Sequence, residues 1–471
     1  MNIILGPPGT GKTTTLLKIM EDALSSGMDP KKIGFISFTK RAIKEARDRV
    51  KIKFNLTTVQ VQNFRTLHSF AFRHLGLSTR NLMTKKNYQE FADVMGIELT
   101  GIDTEENLED IETVVFEDGD RLLFLDGVAR NTQRTIEETW EKYGGELDFH
   151  EVNRVHIGLA LYKQQFAIMD YTDLLEHFLV EDFNLSFDLL LIDEAQDLSA
   201  LQWKVIEKIN KKAKKVYIAG DDDQAIFRWA GADIEHFINL QGNVQVLDHS
   251  YRLPKEVHDY AKTILTNIGV RRDKQFNAAD HGGSVQHISD IESLDFNKGS
   301  WLILARSAYS LFPHISYARS VGLFYSFKER GPNNSLFCRA IQIYYRLQKN
   351  LNVDDNEFKI VSQFMPGTFR IETPWYDALT LMSPEHRLWF RTLEEGGENL
   401  STTPRVQFST IHGAKGAEAD NVVICPDVSY KAYKEMTENP DDEARVFYVA
   451  VTRAKKDLYL LTPQTRYYYE L

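Results

Sequence analysis

Residues 1–20 read MNIILGPPGTGKTTTLLKIM: a short apolar run, a turn rich in glycine and proline, then an amphipathic stretch. Gly6, Pro7, Pro8, Gly9, Thr10, Gly11, Lys12 and Thr13 fit the pattern GxxxxGK[ST], directly after a predicted strand and opening a predicted helix. The glycines let backbone N–H groups close around a phosphate, and the helix N-terminus adds its positive end. In such a loop Lys12 reaches the β- and γ-phosphates and the Thr13 hydroxyl binds Mg²⁺. Leu16, Leu17, Met20 and Leu24 share one face of a helix expected over Thr13 to Leu24, ahead of Gly27. By itself the loop establishes that a nucleoside triphosphate binds. What the triphosphate drives has to be read from the rest of the chain.

The same texture recurs outward from this stretch. Apolar runs bounded by turn residues stand at 33–38 (IGFISF), 189–192 (LLLI), 216–220 (VYIAG) and 244–247 (VQVL). A second series follows at 301–306, 323–327, 406–410, 422–426 and 458–463. Buried runs alternating with helical patterns predict doubly wound α/β architecture, here two parallel-sheet cores, each interrupted by a mainly helical insertion. The expected division is 1–75 with 166–252 for the first core and 76–165 for its insertion. The second core takes 253–347 with 403–471, and 348–402 is its smaller insertion. A helix is expected near Ala129 to Tyr143, and the acidic stretch from Ile102 to Asp120 reads as a solvated outer face.

Bulk properties bound the function. A chain of 471 residues is too long for one core. With 43% hydrophobic and 26% charged residues it has the composition of a globular protein, and no apolar run approaches the roughly 20 residues that span a bilayer. Met1 to Leu5 lacks the basic start of a cleavable leader. Cys338 and Cys425 form no zinc-ligand spacing, and a reducing cytosol is the simplest setting. The net charge of −11 does not exclude nucleic acid, because a basic groove can sit on an acidic body.

The second half of a triphosphatase site is an acidic pair after a buried strand. LLLIDEAQD supplies it: Asp193 closes the apolar run and Glu194 follows. Asp193 would hold Mg²⁺ and Glu194 would orient or deprotonate the attacking water. Alone, such a pair reads equally well as a helix N-cap. Together with Lys12 and Thr13 it points to ATP hydrolysis.

DEAQD followed by GDDDQAIFRWAGA at 220–232 resembles motifs II and III of superfamily 1 helicases of the UvrD/Rep type. The other motifs stand in the expected order: FTKRAIKEA at 38–46, FRTLHSF at 64–70, MDYTDLL at 169–175, LDHSYRLP at 247–254, STIHGAKGAEADNVVI at 409–424 and EARVFYVAVTRAKKDLYL at 443–460. The resemblance implies roles for named positions. Gln224 would sense the γ-phosphate, and Arg252 and Arg453 would act as arginine fingers. Tyr251 would stack on adenine, and Glu418 would lie near the nucleotide sugar. Phe38, Phe227 and Trp229 would stack on single-strand bases, with core packing as the competing reading, while Thr39, His68, Thr410 and His412 would contact the strand.

Some positions depart from the family pattern. Thr14 stands where arginine is common and no glutamine-bearing segment precedes the loop, so relaxed base discrimination is expected, and Ala230 replaces the arginine of WRGA that the resemblance places near the cleft. The resemblance implies a compact helicase that uses ATP and Mg²⁺. It would move 3′→5′ on single-stranded DNA, unwind tailed duplexes as a monomer in the cytosol, and have no membrane partner. Two alternatives remain open. One is a translocase that displaces bound proteins without unwinding. The other is an enzyme of the branch of the same superfamily that acts on RNA.

Overall fold

The computed structural model describes residues 1–100, 117–327, 336–367, 371–398 and 402–471. Twelve strands among the described residues form two six-stranded sheets whose pairings are all parallel. The first contains β1 (Asn2–Leu5), β2 (Ile33–Ser37), β3 (Phe64–Arg65), β4 (Phe187–Asp193), β5 (Ala213–Gly220) and β6 (Asn243–Val246), in the order β3-β2-β4-β5-β1-β6. The second contains β7 (Ser284–Ile288), β8 (Trp301–Ala305), β9 (Tyr325–Phe327), β10 (Val406–Thr410), β11 (Ala419–Cys425) and β12 (Ala454–Leu461), in the order β7-β12-β11-β8-β10-β9. Ten of these strands coincide with the apolar runs. The two unforeseen ones, β3 and β7, lie at sheet edges. One has two residues, and the other, SVQHI, has only Val285 and Ile288 as apolar residues.

Central strands are mainly apolar on both faces because helices cover both faces of a parallel sheet. In β4 the alternation is visible: Leu189 and Leu191 enter one core with Ile4 and Phe35, while Leu190 and Ile192 enter the other with Leu5 and Ile36. Register then decides what lies at the sheet's carboxyl edge. Leu5 pairs with Gly220 and Val246, and Ser37 pairs with Asp193. The segments after β1, β2, β4 and β5 therefore leave the sheet side by side, the edge at which open α/β sheets bind ligands.

Residues 76–165 are helical where described, over Lys85–Met95, Asp118–Thr132, Ile136–Tyr143 and Phe149–Phe166, around a core that includes Phe91, Leu122, Leu125 and Leu159. The helix expected near Ala129 to Tyr143 is two helices. Gln133, at φ 58°, ends the first, and Thr135 caps the second reciprocally with Glu138. Residues 102–116 of the acidic stretch lie outside the described residues. Asp120 is not on an outer face: it is buried and accepts the Thr100 N–H at 3.0 Å.

A cluster of charges joins this insertion to the sheet domain. Arg130 donates to Asp170 and Glu176 at 2.7 Å each and also pairs with Asp173. Lys163 reaches Asp170 at 2.5 Å and Asp173 at 2.8 Å. His156 lies 2.6 Å from Asp126, which Arg130 approaches at 3.5 Å. The later insertion carries the helices Asp355–Ser362, Trp375–Ala378 and Pro384–Glu395, whose Trp375, Trp389 and Phe390 join the core of the second sheet.

The chain divides into two compact units, Met1–Leu253 with Lys262–Asp280 and Asn439–Tyr448, and Pro254–Ala261 with His281–Glu438 and Val449–Leu471. Lys262–Asp280 and Asn439–Tyr448, grouped with the second core in the sequence-based division, thus cluster with the first sheet. The physical reason is charge. Arg271 and Lys274 pair with carboxylates after β5, and Arg445 donates to the Asp222 carbonyl at 3.0 Å. Among the described residues no helix is long and apolar enough to cross a membrane.

Candidate nucleotide site and nucleic-acid groove

The loop after β1 is shaped by two glycines in the left-handed region, Gly9 at φ 73° and Gly11 at φ 81°. Gly9 is also a point of close approach: a Cβ there would stand 2.5 Å from the Arg252 Cβ and 2.7 Å from the Ser250 Oγ. Ser250 donates its hydroxyl to the Pro8 carbonyl at 2.8 Å, and the Tyr251 N–H donates to the Gly9 carbonyl at 2.9 Å. The SYR segment is thus fastened to the loop by hydrogen bonds to its carbonyls, and Tyr251 keeps 74% of its surface exposed. Lys12 opens the helix Lys12–Ser25 and folds back so that Nζ donates to the Gly6 carbonyl at 2.9 Å. Thr14 is exposed.

Beneath the loop, Thr13 donates its hydroxyl to Asp193 Oδ2 at 2.7 Å. Asp193 is 1% exposed. Burial and the neighbouring Glu194 charge push its carboxyl up to about 7, against the opposing pull of the Thr13 hydrogen bond. Glu194 has φ 54° and ψ 43°, a left-handed conformation that a residue with a long side chain rarely adopts. Such strain persists only where surrounding contacts impose it. Two of them are visible: the Glu194 N–H donates to Asp193 Oδ1 at 3.0 Å, and Gln196 Nε2 donates to Glu194 Oε2 at 2.7 Å. Gln196 Oε1 in turn accepts the Asp221 N–H at 3.0 Å, and Gln224 donates to Asp221 Oδ2 at 2.6 Å. One run of hydrogen bonds therefore joins DEAQD to GDDDQ.

The aromatic positions lie along the same sheet edge. The Phe38 and Phe227 rings stack at 6.0 Å, and Trp229 stacks at 6.1 Å on Phe124 of the helical insertion. Phe227 is buried, whereas Phe38 and Trp229 are half-buried. Thr39 caps the helix Lys40–Phe54 by accepting the Ala42 N–H at 3.2 Å. His68 meets Tyr171 edge-on at 5.8 Å, and burial lowers its pKa to about 4, so the ring is neutral at physiological pH.

In the second unit Arg453 is 2% exposed, with Nε on the Val449 carbonyl at 2.9 Å and Nη1 on the Ala417 carbonyl at 3.4 Å. Next to Ala417, the exposed Glu418 pairs with Lys455 at 2.5 Å. Thr410 Oγ1 accepts the Gly413 N–H at 3.1 Å, and His412 is buried beside it in sequence.

Sequence reasoning passed over Gln196, Arg271, Lys274 and Arg445. A signal was present: three consecutive aspartates after a buried strand need cations, and RRDK at 271–274 is a basic run outside every motif.

A phosphate loop after β1, an acidic pair closing β4 and a glutamine-bearing turn after β5, on one of two parallel sheets, define the class: a RecA-like phosphate-loop protein. The family is narrower. The UvrD/REP helicase N-terminal domain matches residues 1–245, and the UvrD-like helicase C-terminal domain matches residues 385–465. The chain belongs to the UvrD/Rep helicase family. Among curated relatives it is 27% identical over 310 residues to the ATP-dependent DNA helicase Rep of Buchnera aphidicola, covering 61% of this chain and 44% of that protein. It is 24% identical over 302 residues to the ATP-dependent DNA helicase PcrA of Staphylococcus aureus, covering 60% and 40%. A probable DNA helicase of Mycoplasma pneumoniae aligns at 24% identity over 98% of this chain and 80% of its own length. The chain spans less than half the length of the Rep and PcrA relatives it matches.

Proposed function

We propose that this chain hydrolyses ATP to move 3′→5′ along single-stranded DNA and to unwind tailed duplexes, acting as a monomer in the cytosol. The observation that most supports the ATPase part is the 2.7 Å contact between the Thr13 hydroxyl and the Asp193 carboxylate, with Glu194 one residue on. Both groups are hard oxygen donors at the mouth of a phosphate loop, and they fit Mg²⁺. Bound there, the ion would neutralise charge on the β- and γ-phosphates.

The residues divide the work as follows. The N–H groups from Gly6 to Thr14 cradle the phosphates, and Lys12 exchanges the Gly6 carbonyl for phosphate oxygens. Glu194 orients the attacking water and takes its proton. Gln224 senses the γ-phosphate, and Arg252 and Arg453 offset charge on the transferring group. Tyr251 stacks on the base and Glu418 lies near the sugar. Phe38, Phe227 and Trp229 grip successive bases, while Thr39, His68, Thr410 and His412 contact the strand.

The deciding experiment is unwinding of 3′-tailed and 5′-tailed duplexes, each as DNA and as RNA, with ATP turnover measured alongside. The expected result is strand-stimulated turnover and separation of the 3′-tailed DNA alone. Turnover without separation would replace unwinding by protein displacement. Preference for the RNA substrate, or for the 5′ tail, would overturn the stated substrate or direction.

A further inference from the structure

The three aspartates after β5 are 0–1% exposed, and one lysine serves all of them. Lys274 Nζ lies 3.0 Å from Asp221 Oδ1, 2.5 Å from Asp222 Oδ1 and 2.8 Å from Asp223 Oδ2, with 1% of its side chain exposed. Arg271 adds a two-point contact to Asp223 at 2.8 and 2.6 Å, and the Arg272 N–H donates to Asp222 Oδ2 at 2.7 Å. Breaking a buried, hydrogen-bonded charge cluster leaves an uncompensated charge in a low dielectric, so each member fixes the others.

Asp221 is the node of this cluster. One carboxylate oxygen takes Lys274 and the other accepts Gln224 Nε2 at 2.6 Å. Its N–H donates to Gln196 Oε1 at 3.0 Å, and Gln196 Nε2 donates to Glu194 Oε2 at 2.7 Å. A lysine outside every recognised motif thus stands at the head of a hydrogen-bonded line. That line ends on the residue assigned to the attacking water and on the residue assigned to the γ-phosphate. We propose that Lys274 is a positioning residue for ATP hydrolysis: through Asp221 it holds Glu194 and Gln224 in the geometry that turnover requires. Without the ammonium, Asp221 takes up a proton or turns toward another donor, and both ends of the line lose their anchor. Lys274 bonds to the three aspartates and not to the phosphate loop, and only the longer-range pull of Lys12 on Asp221 links the two, so nucleotide affinity should change far less than turnover.

The inference rests on the ATPase reading, and the test separates the two. A parent protein that does not hydrolyse ATP defeats that reading; an active parent matched by an equally active variant defeats this inference alone. Lys274→Met exposes the aspartates to one another. It is therefore made both singly and together with Asp222→Asn, which removes one of the three charges, and the double variant is compared with Asp222→Asn alone. The expected result is melting close to that reference, an unchanged KM for ATP, and a kcat lowered about 10²-fold, the loss that follows small misplacement of reacting groups. Turnover that recovers together with the melting temperature overturns the proposal, because the lysine would then only hold the fold. Lys274→Arg keeps the charge and covers the case in which neither methionine variant folds. There, a kcat lowered at unchanged KM and unchanged melting temperature supports the proposal, and a kcat that falls only in step with the melting temperature overturns it.

Discussion

The ring of Trp229, in the turn after β5, stacks at 6.1 Å on Phe124, which projects from the helix Asp118–Thr132 of the insertion. Trp229 is half-buried, so the tryptophan is neither a core residue nor a free one. Aromatic pairs contribute about 0.5–1.5 kcal/mol beyond their area, and base stacking is worth about 1–3 kcal/mol. Trp229→Ala is expected to weaken single-strand binding roughly 5- to 150-fold. Its stability loss should be shared with Phe124→Ala, giving a coupling of about 0.5–1.5 kcal/mol in a double-mutant cycle. Titration with labelled strand and melting of the four proteins measure both. Unchanged strand affinity would return Trp229 to a packing role.

The Asp193 carboxyl supplies a pH signature. Its folded value of about 7 stands above the ordinary aspartate value of 3.8, so the folded state binds the extra proton between those limits. Stability from this group is present at low pH and declines as pH rises through that window. Asp193→Asn should flatten that part of the melting-temperature profile. Binding Mg²⁺ needs the carboxylate, so Mg·ATP affinity should rise across the same window as the proton leaves. A profile indifferent to Asp193→Asn would refute the assignment.

Three substitutions should stop turnover for different reasons. Lys12→Ala is expected to weaken ATP binding, while Glu194→Gln should bind ATP without hydrolysing it. Arg453→Ala should lower kcat by about 10³–10⁵, the usual effect of losing an arginine finger. Arg453 is also bonded to the Val449 and Ala417 carbonyls, so its variant must be melted beside the parent. Turnover within a few-fold of the parent would remove it from the site.

Glu194 carries backbone strain as well as chemistry, with φ at 54°. Glycine adopts that conformation without penalty, whereas strain of this kind costs about 1–3 kcal/mol. Glu194→Gly should therefore melt at or above the parent temperature while losing turnover. A clear fall in melting temperature would show that the Gln196 hydrogen bond outweighs the strain.

His68 is held neutral, with its pKa near 4. If it meets the strand, it does so as a hydrogen-bonding ring and releases no counterion. His68→Ala should lower affinity without changing the slope of affinity against salt, which follows the number of phosphate charges neutralised. A shallower slope would mean that binding protonates the ring.

Ten of the twelve strands and the acidic pair are legible because each couples a mainly apolar run to a turn at its end. β3 and β7 escape that reading because edge strands need little apolar surface, and β7 is interrupted by the adjacent polar residues Gln286 and His287. The break between Thr132 and Ile136 was readable from the cap pattern TIEE, yet helical periodicity on both sides concealed it. Lys274 is the harder case. Nothing local to RRDK says that a lysine will be buried, and its three partners lie about fifty positions upstream, brought to it only by the fold.

The Arg130 cluster has a mechanical consequence. Arg130 and Phe124 share one helix, so any pull transmitted through Trp229 to Phe124 reaches the joint where Arg130 and Lys163 grip Asp170 and Asp173. Those charges are largely shielded from solvent, and dissolved salt screens them far less than it would a surface pair. The joint therefore resists shear at ionic strengths that would slacken an exposed one.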